Sequence, residues 1–299
     1  MYLGIQVFGQ RAFCRAFAQP IGGRAEYPNT EYLNTRNVLH KGNEVKYTYE
    51  ELAGLIDHAL LTPTMTDAEM EAGCRIAADY KVASVCVKPY FVRRAAEILR
   101  GSGVGVGTVI GFPHGSPATE VKRYETEIAC RDGATEVDMV TNIGKAYSGD
   151  WEYVAADIRA VVEEAKRHNA LVKVIFETDF LPDDAMKTKL CRISAAAGAD
   201  YVKTSTGFGF VKGKDGKYSY VGATPHDLEL MRSACPPNIG VKASGGIRDL
   251  ETLILCRDLG CGRVGASATQ AMLDEYRRRE ANPEAEKTAD SMNSVTEGY

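Results

Sequence analysis

The chain of 299 residues could hold one large domain or two ordinary ones, and an α/β barrel uses about 250 residues as a single unit. Its 44% hydrophobic and 25% charged residues describe a globular protein, and no apolar run reaches the roughly 18 residues of a membrane-spanning helix. A formal net charge of -4 argues against general nucleic-acid binding, which needs a basic face to displace counterions, but allows a local anion site. The eight cysteines are dispersed with no Cys-x-x-Cys pair, and the five histidines show no zinc-ligand spacing. Reduced thiols, no metal, no cofactor, no membrane partner and a cytoplasmic location are therefore expected.

Residues 1–46 lack a sustained period, carry Gly22-Gly23 and Pro28-Asn29, and hold no acidic residue before Glu26. They read as a poorly ordered N-terminal extension. Arg11, Arg15 and Arg24 give it a trait shared with transit peptides, and no chemistry is assigned to it. From Tyr47 to about residue 281, strand-like runs alternate with amphipathic helices, the signature of repeated βα units. The runs lie near residues 55–60, 84–87, 104–111, 136–141, 172–177, 201–205, 240–243 and 263–265.

Helical stripes at a period of about 3.6 residues separate these runs, as in Val154, Ile158, Val161 and Ala165, or Met186, Leu190, Ile193 and Ala197. Asp150 and Asp183 stand at expected N-caps, and Gly133 and Gly198 at expected stops. Eight such units with no linker, and no Gly-x-Gly-x-x-Gly turn after the first strand, predict a single closed (β/α)₈ TIM barrel rather than an open doubly wound sheet. Residues 208–222 carry a charge run with Lys212, Lys214 and Lys217 and read as a surface hairpin. The polar segment 282–299, ending in Tyr299, reads as a mobile tail.

Barrel enzymes place their chemistry at the C-terminal ends of the strands, and many bind phosphate with the loops after strands seven and eight. Here those loops are Ser244-Gly245-Gly246 and Gly265-Ala266-Ser267, the latter running into a helix near Thr269. Small residues let backbone N–H groups converge on an anion, and a helix start adds a favourable partial charge. Lys203 and Lys242 fall at the ends of consecutive strands and should be neighbours in the barrel mouth. Two ammonium groups ~5 Å apart at an effective dielectric of about 20 repel by roughly 3 kcal/mol, enough to lower one pKa by about two units. The lysine that loses its proton is a nucleophile for carbonyl carbon, and the resulting imine accepts electrons when a carbon–carbon bond breaks. Asp138 shares its facing parity with Glu136, so an acid from this strand should face the pocket; Asp57 is placed to orient Lys242 or a water.

Several segments, in order and spacing, carry a resemblance to the deoxyribose-phosphate aldolase family over about residues 47–275: Ile56-Asp57-His58-Ala59-Leu60-Leu61, Val109-Ile110-Gly111-Phe112-Pro113-His114-Gly115, Glu136-Val137-Asp138-Met139-Val140, Tyr201-Val202-Lys203-Thr204-Ser205-Thr206-Gly207 and Val241-Lys242-Ala243-Ser244-Gly245-Gly246. The resemblance implies a class I lyase acting on a phosphosugar, 2-deoxy-D-ribose 5-phosphate, as a homodimer or homotetramer. By position it implies Lys203 as the imine-forming lysine, Lys242 as the lysine that lowers its pKa, and Asp138 as the proton-transfer residue. It further implies phosphate contacts at Gly207, Gly245, Gly246, Gly265 and Ser267, a sugar hydroxyl at Thr206, and a terminal Tyr299 able to reach back to the site. The chain departs from the family pattern at Ala59, Lys88 and Ala268, the last losing a hydroxyl donor. A class I aldolase for another phosphorylated sugar and a catalytically silent phosphosugar-binding barrel are the competing expectations.

Overall fold

The structure, a computed structural model, describes residues 47–282. Residues 1–46, most of the predicted tail, and Tyr299 with it, lie outside the described residues. Eight strands form one closed parallel barrel: β1 (Ile56–Leu60), β2 (Ser84–Val87), β3 (Gly105–Ile110), β4 (Glu136–Val140), β5 (Leu171–Ile175), β6 (Tyr201–Lys203), β7 (Gly240–Ser244) and β8 (Arg263–Ala266). Closure runs through β1 and β8, where Ile56 pairs with Val264 and Asp57 with Gly265. The predicted TIM barrel is thus the observed fold.

Side chains alternate across a strand, so each barrel strand feeds two environments. Ile56, Val137, Met139, Val174, Val202 and Val241 belong to the apolar core shared with the surrounding helices. The intervening positions turn inward, and there the barrel holds Asp57, Asp138, Lys173, Lys203 and Lys242, all buried. Register brings them level: Asp138 pairs with Lys173, and Lys203 with Lys242. A charged interior is costly unless each charge meets a partner, which makes this layer the place to look for function.

The helix shell follows the sequence pattern. A helix over Trp151–Arg167, α1, begins at Asp150, whose side chain accepts the N–H of Tyr153, and buries Val154, Ile158, Val161 and Ala165. A second, α2 (Asp184–Ala197), is capped by Asp183 and stops at Gly198, whose φ of 82° suits a residue without a Cβ. Between β3 and β4, the helix Thr119–Arg131 contributes a buried Lys122, whose Nζ lies 2.5 Å from Asp157 of α1 and 2.9 Å from the carbonyl of Val140. That ion pair ties two helices to the C-terminal end of β4, two residues beyond Asp138. After β6 the chain forms the expected hairpin, Val211–Lys212 antiparallel to Tyr218–Ser219, before returning to the helix Pro225–Ala234.

Candidate active site

One carboxylate organises the barrel interior. Asp138 Oδ2 accepts hydrogen bonds from Lys203 Nζ at 2.7 Å and Lys242 Nζ at 2.8 Å, while Oδ1 accepts from Lys173 Nζ at 2.8 Å. The two nitrogens on Oδ2 are therefore no farther apart than the sum of their two bonds. Lys173 also reaches Glu136 at 2.6 Å and Asp57 at 3.4 Å, and Lys242 reaches Asp57 at 2.5 Å. Arg263 grips Glu136 through two bonds of 2.9 Å and Asp57 through one of 2.7 Å.

This network contains four cations (Lys173, Lys203, Lys242 and Arg263) and three carboxylates (Asp57, Glu136 and Asp138) among the described residues. Charge balance is reached when one cation is neutral. Lys173 touches three carboxylates, and Lys242 and Arg263 two each. Lys203 touches Asp138 alone. Burial pulls the pKa of Lys203 below the ordinary lysine value; attraction to Asp138 opposes this and repulsion from Lys242 reinforces it. Burial also acts against the charge on Lys242, but Asp138 and Asp57 outweigh it and its pKa is raised. Lys173 is held protonated still more firmly, against burial, by Asp138, Asp57 and Glu136. Asp138 stays ionised because Lys173, Lys203 and Lys242 together overcome the penalty of burial.

Above this layer, the loops after β6 and β7 are stitched together. Ser244 Oγ donates to the carbonyl of Ser205 at 2.6 Å and accepts the N–H of Ser205 at 3.2 Å; Thr204 Oγ1 donates to the carbonyl of Ser244 at 2.9 Å. Gly207, Gly245 and Gly246 all have left-handed backbone, with φ of 89°, 95° and 82°, as tight turns at a barrel mouth require. Gly265 has a different reason: a Cβ there would come within 3.3 Å of Lys242 Cε, so its absence makes room for the lysine stem. Ser267 is exposed just before the helix Thr269–Ala281, and Ala268 at its start supplies no side-chain cap. A cleft of about 240 Å³ flanks the mouth over the first three strands, between Leu61, Lys88, Phe112 and Phe208; the lysine and carboxylate network lies outside its walls.

A family model described as DeoC/LacD family aldolase matches residues 52–257. The chain belongs to the DeoC/LacD aldolase family. It is 44% identical over 243 residues to a deoxyribose-phosphate aldolase of Rhodopirellula baltica, covering 81% of this chain and 96% of that protein. It is 51% identical over 220 residues to deoxyribose-phosphate aldolase 2 of Bacillus licheniformis, covering 73% and 92%. Among solved structures, the tetrameric deoxyribose phosphate aldolase from Aeropyrum pernix superposes with a TM-score of 0.69 at 32% identity, covering 77% of this chain and 92% of that one.

Within this aldolase, the structure brings together Asp57, Asp138, Lys203 and Lys242, and sets Gly207, Gly245 and Gly246 in the loops above them. Sequence reasoning passed over Lys173 and Arg263 as members of the charged layer. Alternation offered a signal for the first, since Lys173 has the inward parity within its strand and falls level with Asp138. The same signal exists for Arg263, which alternates with the core residues Val264 and Ala266 and pairs with Lys242 at the start of the last strand. The departure at Lys88 is resolved locally: its ammonium donates to the carbonyls of Thr62, Pro63 and Met65. Cys86, buried inside the barrel, has its thiol pushed up to about 11 by burial, which makes it a poor nucleophile.

One trio of potential metal ligands occurs among the described residues, Asp184, His226 and Asp227. Lys187 already occupies it, with Nζ 2.5 Å from Asp227 and 3.3 Å from Asp184, so an ammonium supplies the positive charge there. No helix of the described residues is long and apolar enough to cross a membrane.

Proposed function

We propose that this chain cleaves 2-deoxy-D-ribose 5-phosphate reversibly to acetaldehyde and D-glyceraldehyde 3-phosphate through an imine on Lys203. The observation that carries the assignment of the nucleophile is the uneven sharing of three buried carboxylates among three buried lysines and the part-buried Arg263, which leaves Lys203 the least paired. Its neutral amine attacks the aldehyde carbon, and the carbinolamine loses water to give an iminium. The sugar hydroxyl then gives up its proton, the adjacent carbon–carbon bond breaks, and its electron pair moves to the iminium nitrogen as an enamine. D-Glyceraldehyde 3-phosphate departs. Protonation of the enamine carbon and hydrolysis release acetaldehyde and restore the amine.

Asp138, ionised and bonded to both reactive lysines, is suited to accept protons and exchange them with Lys242. Asp57 holds Lys242 in place from the opposite side. The phosphate is held by the N–H groups around Gly207, Gly245 and Gly246, with Gly265 near the end of β8 and Ser267 just before the last helix completing the site. Thr206 meets a substrate hydroxyl. Assembly as a homodimer or homotetramer is in keeping with the tetrameric relative from Aeropyrum pernix.

A retro-aldol assay on a panel of phosphorylated sugars tests this reading: turnover of deoxyribose 5-phosphate supports it, and turnover of a different sugar phosphate alone reassigns the substrate. The same assay run across pH examines the lysine pair. Lys242→Leu leaves three cations against three carboxylates, so Lys203 keeps its proton to higher pH. The acid limb of kcat/KM is expected to move upward by about one to two units. An unshifted limb would show that burial alone sets the reactivity of Lys203.

A further inference from the structure

Glu177 lies two residues beyond β5, is 1% exposed, and has the left-handed backbone of φ 59° and ψ 66° that side chains other than glycine seldom adopt. The bonds of Phe176 N–H to the carbonyl of Lys203, at 2.9 Å, and of Thr178 N–H to that of Thr204, at 3.0 Å, pin the turn on both sides. Its carboxylate enters the loop after β6. There Oε1 accepts the backbone N–H of Thr206 at 3.1 Å, and Oε2 accepts the Thr206 hydroxyl. The chain passes so close that a Cβ on Gly209 would lie 2.7 Å from this carboxylate.

A hydroxyl has one proton and two lone pairs. The proton on Thr206 is given to Glu177, and one lone pair accepts the N–H of Phe208 at 2.9 Å. Phe208 is itself fixed edge-on against Phe112, with ring centroids 5.5 Å apart. What remains on Thr206 is a single acceptor lone pair, three residues from Lys203 and beside Gly207, where nothing lies within 4 Å of a built Cβ.

We infer that Glu177 is a positioning residue that turns the Thr206 hydroxyl into an obligate acceptor, so that the site favours aldehydes carrying a hydroxyl donor next to the reacting carbon. This deepens the aldolase reading and rests on it. Burial lifts the Glu177 carboxyl to about 7, against its bonds from Thr206; Asp179 adds to the rise and Lys203 opposes it, while the phenol of Tyr220 also faces this group. Once protonated, the carboxyl can donate to Thr206 and reverse the chain. The preference should therefore weaken as pH falls through that value.

The test is aldol addition of acetaldehyde to D-glyceraldehyde and to propanal, read as the ratio of the two kcat/KM values. In Glu177→Gln, the amide N–H₂ competes for the remaining lone pair of Thr206, and the ratio is expected to fall about threefold to tenfold, the worth of one neutral hydrogen bond. An unchanged ratio overturns the inference, because a purely structural role would depress both acceptors together. Should that variant fail to fold, the wild-type ratio at pH 8 and pH 6 decides instead: a fall supports the inference and a flat ratio overturns it. Wild-type protein that adds acetaldehyde to neither aldehyde would overturn the aldolase reading itself, which is a separate result.

Discussion

Borohydride added during turnover is expected to fix a substrate-derived mass on the peptide containing Lys203, and Lys203→Ala is expected to lose both the label and at least on the order of 10³-fold in kcat. Three other lysines lie close enough to the mouth to be rivals, and each is disfavoured for a physical reason. Lys173 and Lys242 are held protonated by several carboxylates, so neither offers a lone pair. Lys88 spends its donors on three backbone carbonyls, and attack would require leaving all of them. Lys203 has one ionic partner, which it can release its proton toward, and a pKa already lowered by burial. Mass spectrometry of the trapped peptide separates the four. A label on Lys173 or Lys242 would mean that the charge balance of the layer is struck at a different cation, and a label on Lys88 would move the reaction out of the barrel axis altogether.

The barrel was legible because its signals are local. Short β-branched runs, helical stripes such as Val154 to Ala165, and caps at Asp150 and Asp183 each declare themselves within a few residues, and the closed sheet follows from counting them. Lys203, Lys242 and Asp138 were legible for a related reason, since a charged residue at an inward strand position calls for an explanation. The sequence does not show how many carboxylates each ammonium touches, because that depends on register across strands far apart in the chain. Two-lysine repulsion therefore reads from the sequence as the main cause of a lowered pKa, whereas the structure ranks burial first and gives Asp138 an opposing pull. The bond from Glu177 to Thr206 was hidden for a further reason: it depends on a left-handed residue after β5, which no composition rule anticipates in a glutamate.

Asp138→Asn separates the role of this carboxylate in chemistry from its role in holding the layer together. Turnover is expected to fall by about 10²- to 10⁴-fold, the usual contribution of a positioned proton-transfer group. Removing one negative charge leaves four cations facing two carboxylates, so Lys203 should shed its proton more readily than in the native protein. The variant is therefore expected to keep the borohydride-trapped imine on Lys203 while turning over slowly, a pairing that Lys203→Ala cannot produce. Folding stability should also drop, since Asp138 is the shared partner of three buried ammonium groups and breaking one buried ion pair costs about 3–5 kcal/mol. Thermal melts at the assay temperature distinguish lost activity from lost protein. If folded Asp138→Asn retained turnover within a few-fold of the native value, the carboxylate would be an electrostatic anchor alone, and the proton would have to travel by another group.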